Sequence, residues 1–202
     1  MAAPVRIAYT HVHSLRLAAG AAAGAEALVA RVLLEDRSAG YGFTTNDDAG
    51  LARDMAAWDA LARSKGIPLY GLLGGSHRKS VSVVKDELPA LPPDWDSMRK
   101  DILGNKHELL RIDPFAWGSL EQVVTVAASA AAFDVGVALL APNAHPWEIQ
   151  YCAALAATFR GDDTRIILRK SPEQEAIAVK DEPGIGIDWS LEPAFGKIQW
   201  QG

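Results

Sequence analysis

Cysteine is nearly absent from this 202-residue sequence, which contains only Cys152. A single cysteine excludes an intrachain disulfide and is typical of a protein from a reducing compartment. No apolar run approaches the roughly 20 residues that a membrane-spanning helix needs. The Ala-rich residues 15–30 contain glycines and Glu26 and lack the Leu-rich centre of a signal peptide. We therefore expect a cytoplasmic protein that does not insert into a membrane.

The sequence also lacks an excess of positive charge. It has 20 Lys and Arg against 25 Asp and Glu, a formal net charge of −5. Nucleic acids and anionic membranes are bound by basic faces, so neither is expected as a partner. A nucleophile elbow, a phosphate loop and a Cys-x-x-Cys pair are missing too. Gly184 and Gly186 do not indicate a dinucleotide site, because Trp189 stands where the third glycine would be.

What the sequence does contain is a regular order of predicted elements. Hydrophobic residues make up 49% of it, which is enough for a substantial core. Alternating residues predict antiparallel strands at 5–11, 27–35 and 41–44. Further along, strands alternate with helices. The predicted strands lie at 80–85, 108–113, 135–141 and 165–168, and the predicted helices at 95–105, 120–133 and 147–159. This alternation predicts parallel strands joined by right-handed crossovers.

A long amphipathic helix is predicted between these two parts of the chain. Apolar side chains recur at spacings of three and four, at Leu51, Met55, Trp58, Leu61 and Ala62. Thr45 or Asn46 can cap the start of the helix, and Gly66 is a typical helix stop. Pro68 then predicts an extended exit.

The stretch Asp54–Gly75, DMAAWDALARSKGIPLYGLLGG, resembles the junction helix of the enolase superfamily, in its mandelate racemase and muconate lactonising enzyme branch. In that branch the helix links an α+β capping domain to a (β/α) barrel. The resemblance implies a trimmed capping domain at 1–45, to which the tail 176–202 returns. It implies a junction helix and a partial TIM barrel at 46–175. The expected fold class is therefore α/β plus α+β, with a small antiparallel sheet followed by about four parallel barrel strands.

The barrel is expected to be partial because the chain is short. A complete barrel takes about 250 residues, whereas Ser80 to Lys170 has room for about four strands. The resemblance matches them to the family's strands one, six, seven and eight, adjacent in the order six, seven, eight, one. The family's strands two to five, which carry a Lys-x-Lys acid/base pair and three Mg²⁺-binding carboxylates, have no counterpart. No cofactor is therefore expected, since a hard cation needs several oxygen ligands.

The retained strand ends supply the candidate catalytic residues. By resemblance, Asp113 falls at the Asp of the family's His–Asp dyad, and Asn143 occupies the position of the His. An amide cannot transfer a proton near neutral pH, so this pair could not act as a general base. His145 could replace the histidine only if its loop shifted, and Lys85 would be the general base of an active enzyme. The alternative interpretation is a loop histidine and a solvated charge cluster at residues 85–87.

These observations favour a non-catalytic, truncated relative with a binding or structural role over an enzyme. Two alternatives stay open. One is a metal-independent racemase, epimerase or dehydratase acting on small hydroxy or sugar acids, and the other is a protein that binds a small carboxylic acid. His11 and His13 share one face of the first predicted strand, but no third ligand is apparent, so a metal site is not expected there.

An incomplete barrel also predicts self-association. It leaves two sheet edges and an apolar concave face open, and both favour aggregation unless they are covered. We therefore expect an obligate homodimer. A two-fold axis along the barrel axis would place barrel strand one beside the partner's strand six and close eight strands. The alternatives are a flatter dimer that packs face to face and a monomer whose trimmed helices cover the edges.

Overall fold

A computed structural model of the chain describes residues 6–18, 23–76, 78–90, 92–104, 108–159 and 164–200. The predicted loop Ala18–Gly24 lies partly outside these ranges. The strands are β1 (Ile7–Arg16), β2 (Glu26–Leu34), β3 (Ala39–Thr44), β4 (Ser80–Lys85), β5 (Leu109–Ile112), β6 (Gly136–Leu140), β7 (Arg165–Leu168) and β8 (Ala176–Ala178). The α-helices are α1 (Ala49–Lys65), α2 (Leu69–Leu72), α3 (Trp95–Leu103), α4 (Leu120–Ala131) and α5 (Pro146–Ala156). Two short 3-10 turns, Trp189–Leu191 and Phe195–Lys197, lie in the tail.

The first three strands form an antiparallel sheet in the order β1-β2-β3, here called the capping sheet. Helix α1 packs against one face of it, where alanines of the helix meet Ala30 and Val32 of β2. The helix approaches so closely that a Cβ at Gly40 would lie 2.0 Å from the amide nitrogen of Ala60. Glycine at this position is therefore required by packing.

The N-terminal cap of α1 differs from the prediction. Asp48 caps the helix, and its carboxylate accepts hydrogen bonds from the amides of Gly50 and Leu51 at 2.8 and 3.1 Å. The predicted caps, Thr45 and Asn46, precede the helix. The C-terminal end is at Gly66 as predicted, with a left-handed φ of 66°.

A second sheet has the order β5-β6-β7-β4-β8. Strands β5, β6, β7 and β4 are mutually parallel neighbours. This confirms the predicted fold class and the predicted order of the four retained barrel strands. Helices α4 and α5 connect these strands and bury their apolar faces against one side of the sheet.

The last strand of this sheet, β8, was not predicted. It pairs antiparallel with β4, where Val81 lies opposite Ile177. The amide of Val83 also donates to the carbonyl of Glu175 at 2.8 Å. The outer edge of β4 is therefore occupied by the chain itself. In the closed eight-stranded dimer the partner's β5 would pair with this edge of β4, so β8 would first have to leave it.

The concave face of the second sheet is also partly covered by the chain. Ala138, Leu140 and Ile167 are buried there, with Val84 and Ala90 packed against them. Ala90 belongs to the connection between β4 and α3, so this connection lies over the face that the missing barrel strands would enclose. The predicted apolar concave face is thus less open than expected.

Both sheets contribute to one continuous core, in which Val29 and Phe43 of the capping sheet join Leu110 and Ile166 of the second sheet. The tail contacts the free face of the capping sheet, where the ring of Phe195 lies 5.4 Å from that of Tyr41. Among the described residues, no helix has both the length and the apolar composition required to cross a membrane.

Candidate functional site

The carboxyl ends of the four parallel strands meet at one edge of the second sheet, where barrel enzymes place their chemistry. Charged and polar side chains follow these ends, as the sequence predicts. They are Lys85, Asp86 and Glu87 after β4, Asp113 after β5, Asn143 after β6 and Arg169 after β7. The contacts of each side chain determine whether it is placed to take part in binding or catalysis at this edge.

Lys85 lies at the exposed rim of this edge. Its ammonium group contacts the carboxylate of Glu87 at 3.0 Å, and the two side chains are 47% and 76% exposed. Asp86 points to the concave face, where it accepts a 2.8 Å hydrogen bond from Nε of Arg111. Arg169 donates to the carbonyl of Glu87 at 2.6 Å. These contacts hold the β4–α3 connection against the sheet.

Asp113 is engaged in the turn that follows β5. Its Oδ1 accepts a hydrogen bond from the amide of Phe115 at 2.9 Å. Burial raises the pKa of Asp113, while the amides of Phe115 and Ala116 and the charge of Arg169 oppose the shift. The carboxyl group therefore stabilises a turn, and the described residues record no hydrogen bond between it and Lys85, Asn143 or His145.

Asn143, at the position where the resembled family has its histidine, belongs to a different network. Its side-chain amide donates to Oε1 of Glu148 at 2.8 Å and to Oγ1 of Thr45 at 3.0 Å. Its backbone amide donates to Oε2 of Glu148 at 2.9 Å. Glu148 is fully buried, and burial raises the pKa of its carboxyl group. The network joins the end of β6 to the residue that follows the capping sheet.

His145 is a buried residue that caps helix α5. Its Nδ1 accepts a hydrogen bond from the amide of Trp147 at 3.2 Å. Its Nε2 lies 2.8 Å from Oε1 of Glu192, and both side chains are 0% exposed. Because both ring nitrogens have partners within the core, His145 is not placed to exchange a proton with a ligand at the strand ends.

Aromatic side chains join the capping sheet to the carboxyl ends of β5 and β6. The ring of Phe43 lies 5.5 Å from that of Phe115 and 5.4 Å from that of Trp147. Trp147 in turn contacts Trp189 of the tail at 4.8 Å and donates from Nε1 to the carbonyl of Asp188 at 3.0 Å. These rings fill the space between the two sheets at the carboxyl ends of β5 and β6.

The structure places Lys85, Asp113 and His145 in three separate environments: the solvent, a turn and the core. The sequence reading did not identify Arg111, Glu148 or Glu192. A signal for Glu148 is present, because a Glu three residues after an N-cap is the spacing of a capping box. No local pattern indicates Glu192, which lies 47 residues from His145.

The donor groups at this edge do not fit the Mg²⁺ ion that the resembled family binds. The ion prefers several oxygen ligands, usually carboxylates and waters. Among the described residues, no three His, Cys, Asp or Glu side chains lie close enough to hold one metal ion. Asp86 and Asp113 also have other partners, a guanidinium group and turn amides.

A second group of titratable residues lies on the capping sheet. The imidazole rings of His11 and His13 are 4.1 Å apart, and the ring of Trp200 lies 5.2 Å from that of His13. Arg31 is paired with His11 on the neighbouring strand. Desolvation, and then the charge of His11, lower the pKa of His13 below its ordinary value of 6.5.

This shift predicts a loss of stability in acid. Because the folded state disfavours the protonated form of His13, the stability that depends on the neutral form is complete above pH 6.5. It is lost as the pH falls below that value toward the folded-state pKa. We expect the free energy of unfolding to fall less between pH 7 and pH 5 in His13→Gln than in the wild type. Urea unfolding at each pH measures the free energy of unfolding. The control is His11→Gln, which removes one of the two causes of the shift and is expected to have an intermediate effect on its pH dependence. Parallel pH profiles for wild type and His13→Gln would contradict the assignment.

The fold and the strand-end site define a class of protein, a small α+β cap joined to an incomplete (β/α) barrel. Solved structures of the same fold include an enolase from Pseudomonas fluorescens Pf0-1 with bound magnesium, potassium and tartrate. It superposes with a TM-score of 0.70 over 96% of this chain and 92% of that chain, at 13% identity. A mandelate racemase/muconate lactonizing enzyme from Bordetella bronchiseptica RB50 has a TM-score of 0.70, covering 96% and 99%, at 11% identity.

A dipeptide epimerase from Enterococcus faecalis V583 has a TM-score of 0.71 over 89% of this chain and 99% of that chain, at 11% identity. No family model matches the sequence, and no curated protein matches it. At these identities the similarities establish the fold. This chain therefore has the fold of these solved structures, with four parallel strands in its barrel part.

Proposed function

We propose that this chain is a non-catalytic protein with a binding or structural role, which keeps part of an enzyme fold. The observation that carries the proposal is the placement of the three candidate catalytic groups. Lys85 pairs with Glu87 in solvent, Asp113 accepts the amide of its own turn, and His145 is buried against Glu192. Acid–base catalysis needs each such group within hydrogen-bond reach of the proton that it transfers, on one bound substrate.

A second function is the binding of a small carboxylic acid without turnover. It is favoured by the guanidinium groups of Arg111 and Arg169, which lie on the concave face and at the carboxyl ends of the strands. Arginine binds carboxylates in a planar, two-point geometry. The metal-independent racemase, epimerase or dehydratase is the remaining enzyme alternative.

We predict that the protein does not exchange the α-proton of hydroxy or sugar acids. The test incubates the wild type with a library of these acids in D₂O, with and without Mg²⁺, and follows deuterium incorporation by NMR. The matched variants are Lys85→Ala and Asp113→Asn, which are expected to give the same background rate as the wild type. Calorimetry with Mg²⁺ alone is expected to show no binding at micromolar concentration.

The outcomes separate the hypotheses. Deuterium incorporation that disappears in Lys85→Ala or Asp113→Asn would overturn the proposal in favour of an enzyme. A rise in melting temperature caused by one acid, without deuterium incorporation, would favour the carboxylate-binding function, because a ligand that binds only the folded state stabilises it. If neither deuterium incorporation nor a rise in melting temperature is observed, the data support the structural role.

A further inference from the structure

The outer edge of β5 carries unpaired backbone groups. Strand β5 is the last strand of its sheet, and it pairs with β6 on one side only. The amide of Gly136 donates to the carbonyl of Glu108 at 3.1 Å, which fixes the direction of the backbone. Because successive residues of a strand point their N–H and C=O groups to alternate sides, Leu110 faces β6 while Leu109 and Arg111 face outward. Within the described ranges, no strand pairs with these outward groups.

The opposite edge of the same sheet is closed differently. Strand β8 covers β4 and is itself only three residues long. A very short edge strand is a common way in which proteins blunt an edge against further pairing. A head-to-tail assembly needs two different free edges that complement each other. Within this sheet β4 is covered by β8, and the edge of β5 can pair with the same edge of a second copy, which gives a closed two-fold dimer.

We propose that two copies of this chain associate by antiparallel pairing of β5 with β5, around a two-fold axis that passes beside Leu110. In this register Leu109 lies opposite the partner's Arg111, and Arg111 lies opposite the partner's Leu109. All outward N–H and C=O groups of these two residues then form hydrogen bonds, as they do in closely spaced antiparallel pairs. If the two-fold axis passes beside Leu109 or beside Arg111 instead, only one of these two residues forms such a pair. An axis beside Arg111 also places the two copies of Arg111 opposite each other.

Apolar surface near this edge supports the same interface. The large apolar side chains that are most exposed on the chain include Leu88, Trp95 and Leu103, at 55%, 41% and 56%. All three lie on the segment that leads into β5, and Trp95 and Leu103 are the two ends of α3. Asp86 connects this segment to the strand, because its carboxylate accepts hydrogen bonds from the amide of Leu88 and from Arg111. A ladder of two residues is too small for a stable dimer, which buries about 1,200–2,000 Å². Exposed apolar side chains beside the edge supply the additional area that such a dimer needs.

The first test measures amide hydrogen exchange of the full chain at increasing protein concentration. In the dimer the amides of Leu109 and Arg111 are hydrogen-bonded, so their exchange is expected to slow by about tenfold or more as dimer forms. The amides of Leu110 and Ile112 bond to β6 and are expected to be protected at every concentration. Free exchange of Leu109 and Arg111 in a sample that light scattering shows to be dimeric would overturn the proposal, as would a monomer at high concentration.

The second test uses proline on the two sheet edges. Leu109→Pro removes an outward N–H and leaves the bonds to β6 intact, which an edge strand tolerates. It is expected to convert the dimer to a monomer in sedimentation equilibrium. The matched control is Ala178→Pro on β8, whose N–H also points outward because the next amide, of Val179, bonds to Lys79. The control is expected to stay dimeric. A folded Leu109→Pro that remains a dimer would overturn the proposal, and if this variant does not fold, the exchange experiment decides.

Discussion

Replacement of Asp59 by alanine is expected to lower the free energy of unfolding by about 3–5 kcal/mol, because it removes a buried carboxylate that accepts three hydrogen bonds. The side chain of Asp59 is 1% exposed and accepts three hydrogen bonds. The donors are the amide of Tyr41 at 2.9 Å, Nε of Arg63 at 2.8 Å and the amide of Ile185 at 2.7 Å. They belong to β3, to α1 and to the tail, so one carboxylate connects three separate parts of the chain.

The tail packs so closely against this carboxylate that little room is left for a different local arrangement. A Cβ at Gly184 would lie 2.3 Å from Oδ1 of Asp59, and Gly184 has a left-handed φ of 98°. Loss of the carboxylate therefore leaves two backbone N–H groups and the guanidinium group of Arg63 without the hydrogen bonds that they make to it. Each unsatisfied buried donor costs about 1–3 kcal/mol.

The matched variant is Arg63→Met, which keeps the apolar stem of the side chain and removes its charge. Arg63 is 36% exposed, and Asp59 retains both backbone donors in this variant. Its expected cost is about 1 kcal/mol, because partly exposed ion pairs contribute little. Urea unfolding followed by circular dichroism measures both. Equal losses in the two variants would show that the ion pair, and not the three-way connection, is what Asp59 provides.

Much of this fold could be predicted from the sequence because its signals are local. The bounds of β4 and β7 match the predicted strands, since short apolar runs between turn residues leave little freedom. The helical spacing of Leu51, Met55 and Trp58 predicted α1, and Gly66 ends it as expected. The neighbour order of the parallel strands came from the resemblance of the predicted strands to individual barrel strands of the family and not from any local pattern.

Elements that depend on distant partners could not be predicted in the same way. Strand β8 has only three residues, Ala176–Ala178, and forms because β4 presents a free edge beside them. The side chain of Thr45 bonds to Glu148 and that of Asn46 to the carbonyl of Phe115, and Asp48 caps α1 instead. Both features are set by packing between segments that are far apart in sequence.

The candidate site likewise has one part that the sequence predicts and one part that it does not. That Lys85 and Asp113 lie at one edge follows from parallel strands, and the structure places both there. The orientation of His145 does not follow, because it depends on a carboxylate 47 residues away in the tail. Sequence reasoning treated this histidine as a loop residue or a substitute base, whereas it is buried in the contact that fastens the tail.

That contact predicts the second large effect. Glu192 is fully buried, lies 2.8 Å from Nε2 of His145 and accepts the amide of Ala18 at 2.9 Å. Glu192→Ala leaves both groups unsatisfied, so the free energy of unfolding is expected to fall by about 3 kcal/mol or more. Since the tail is fastened there, proteolysis of residues 187–200 is expected to accelerate as well. The control is Glu182→Ala, whose side chain is 61% exposed, with an expected change within about 0.5 kcal/mol. If both variants lose the same stability and the tail resists protease in each, the prediction is wrong and the other contacts of the tail hold it in place, such as those of Phe195 with Tyr41 and of Ile185 with Asp59.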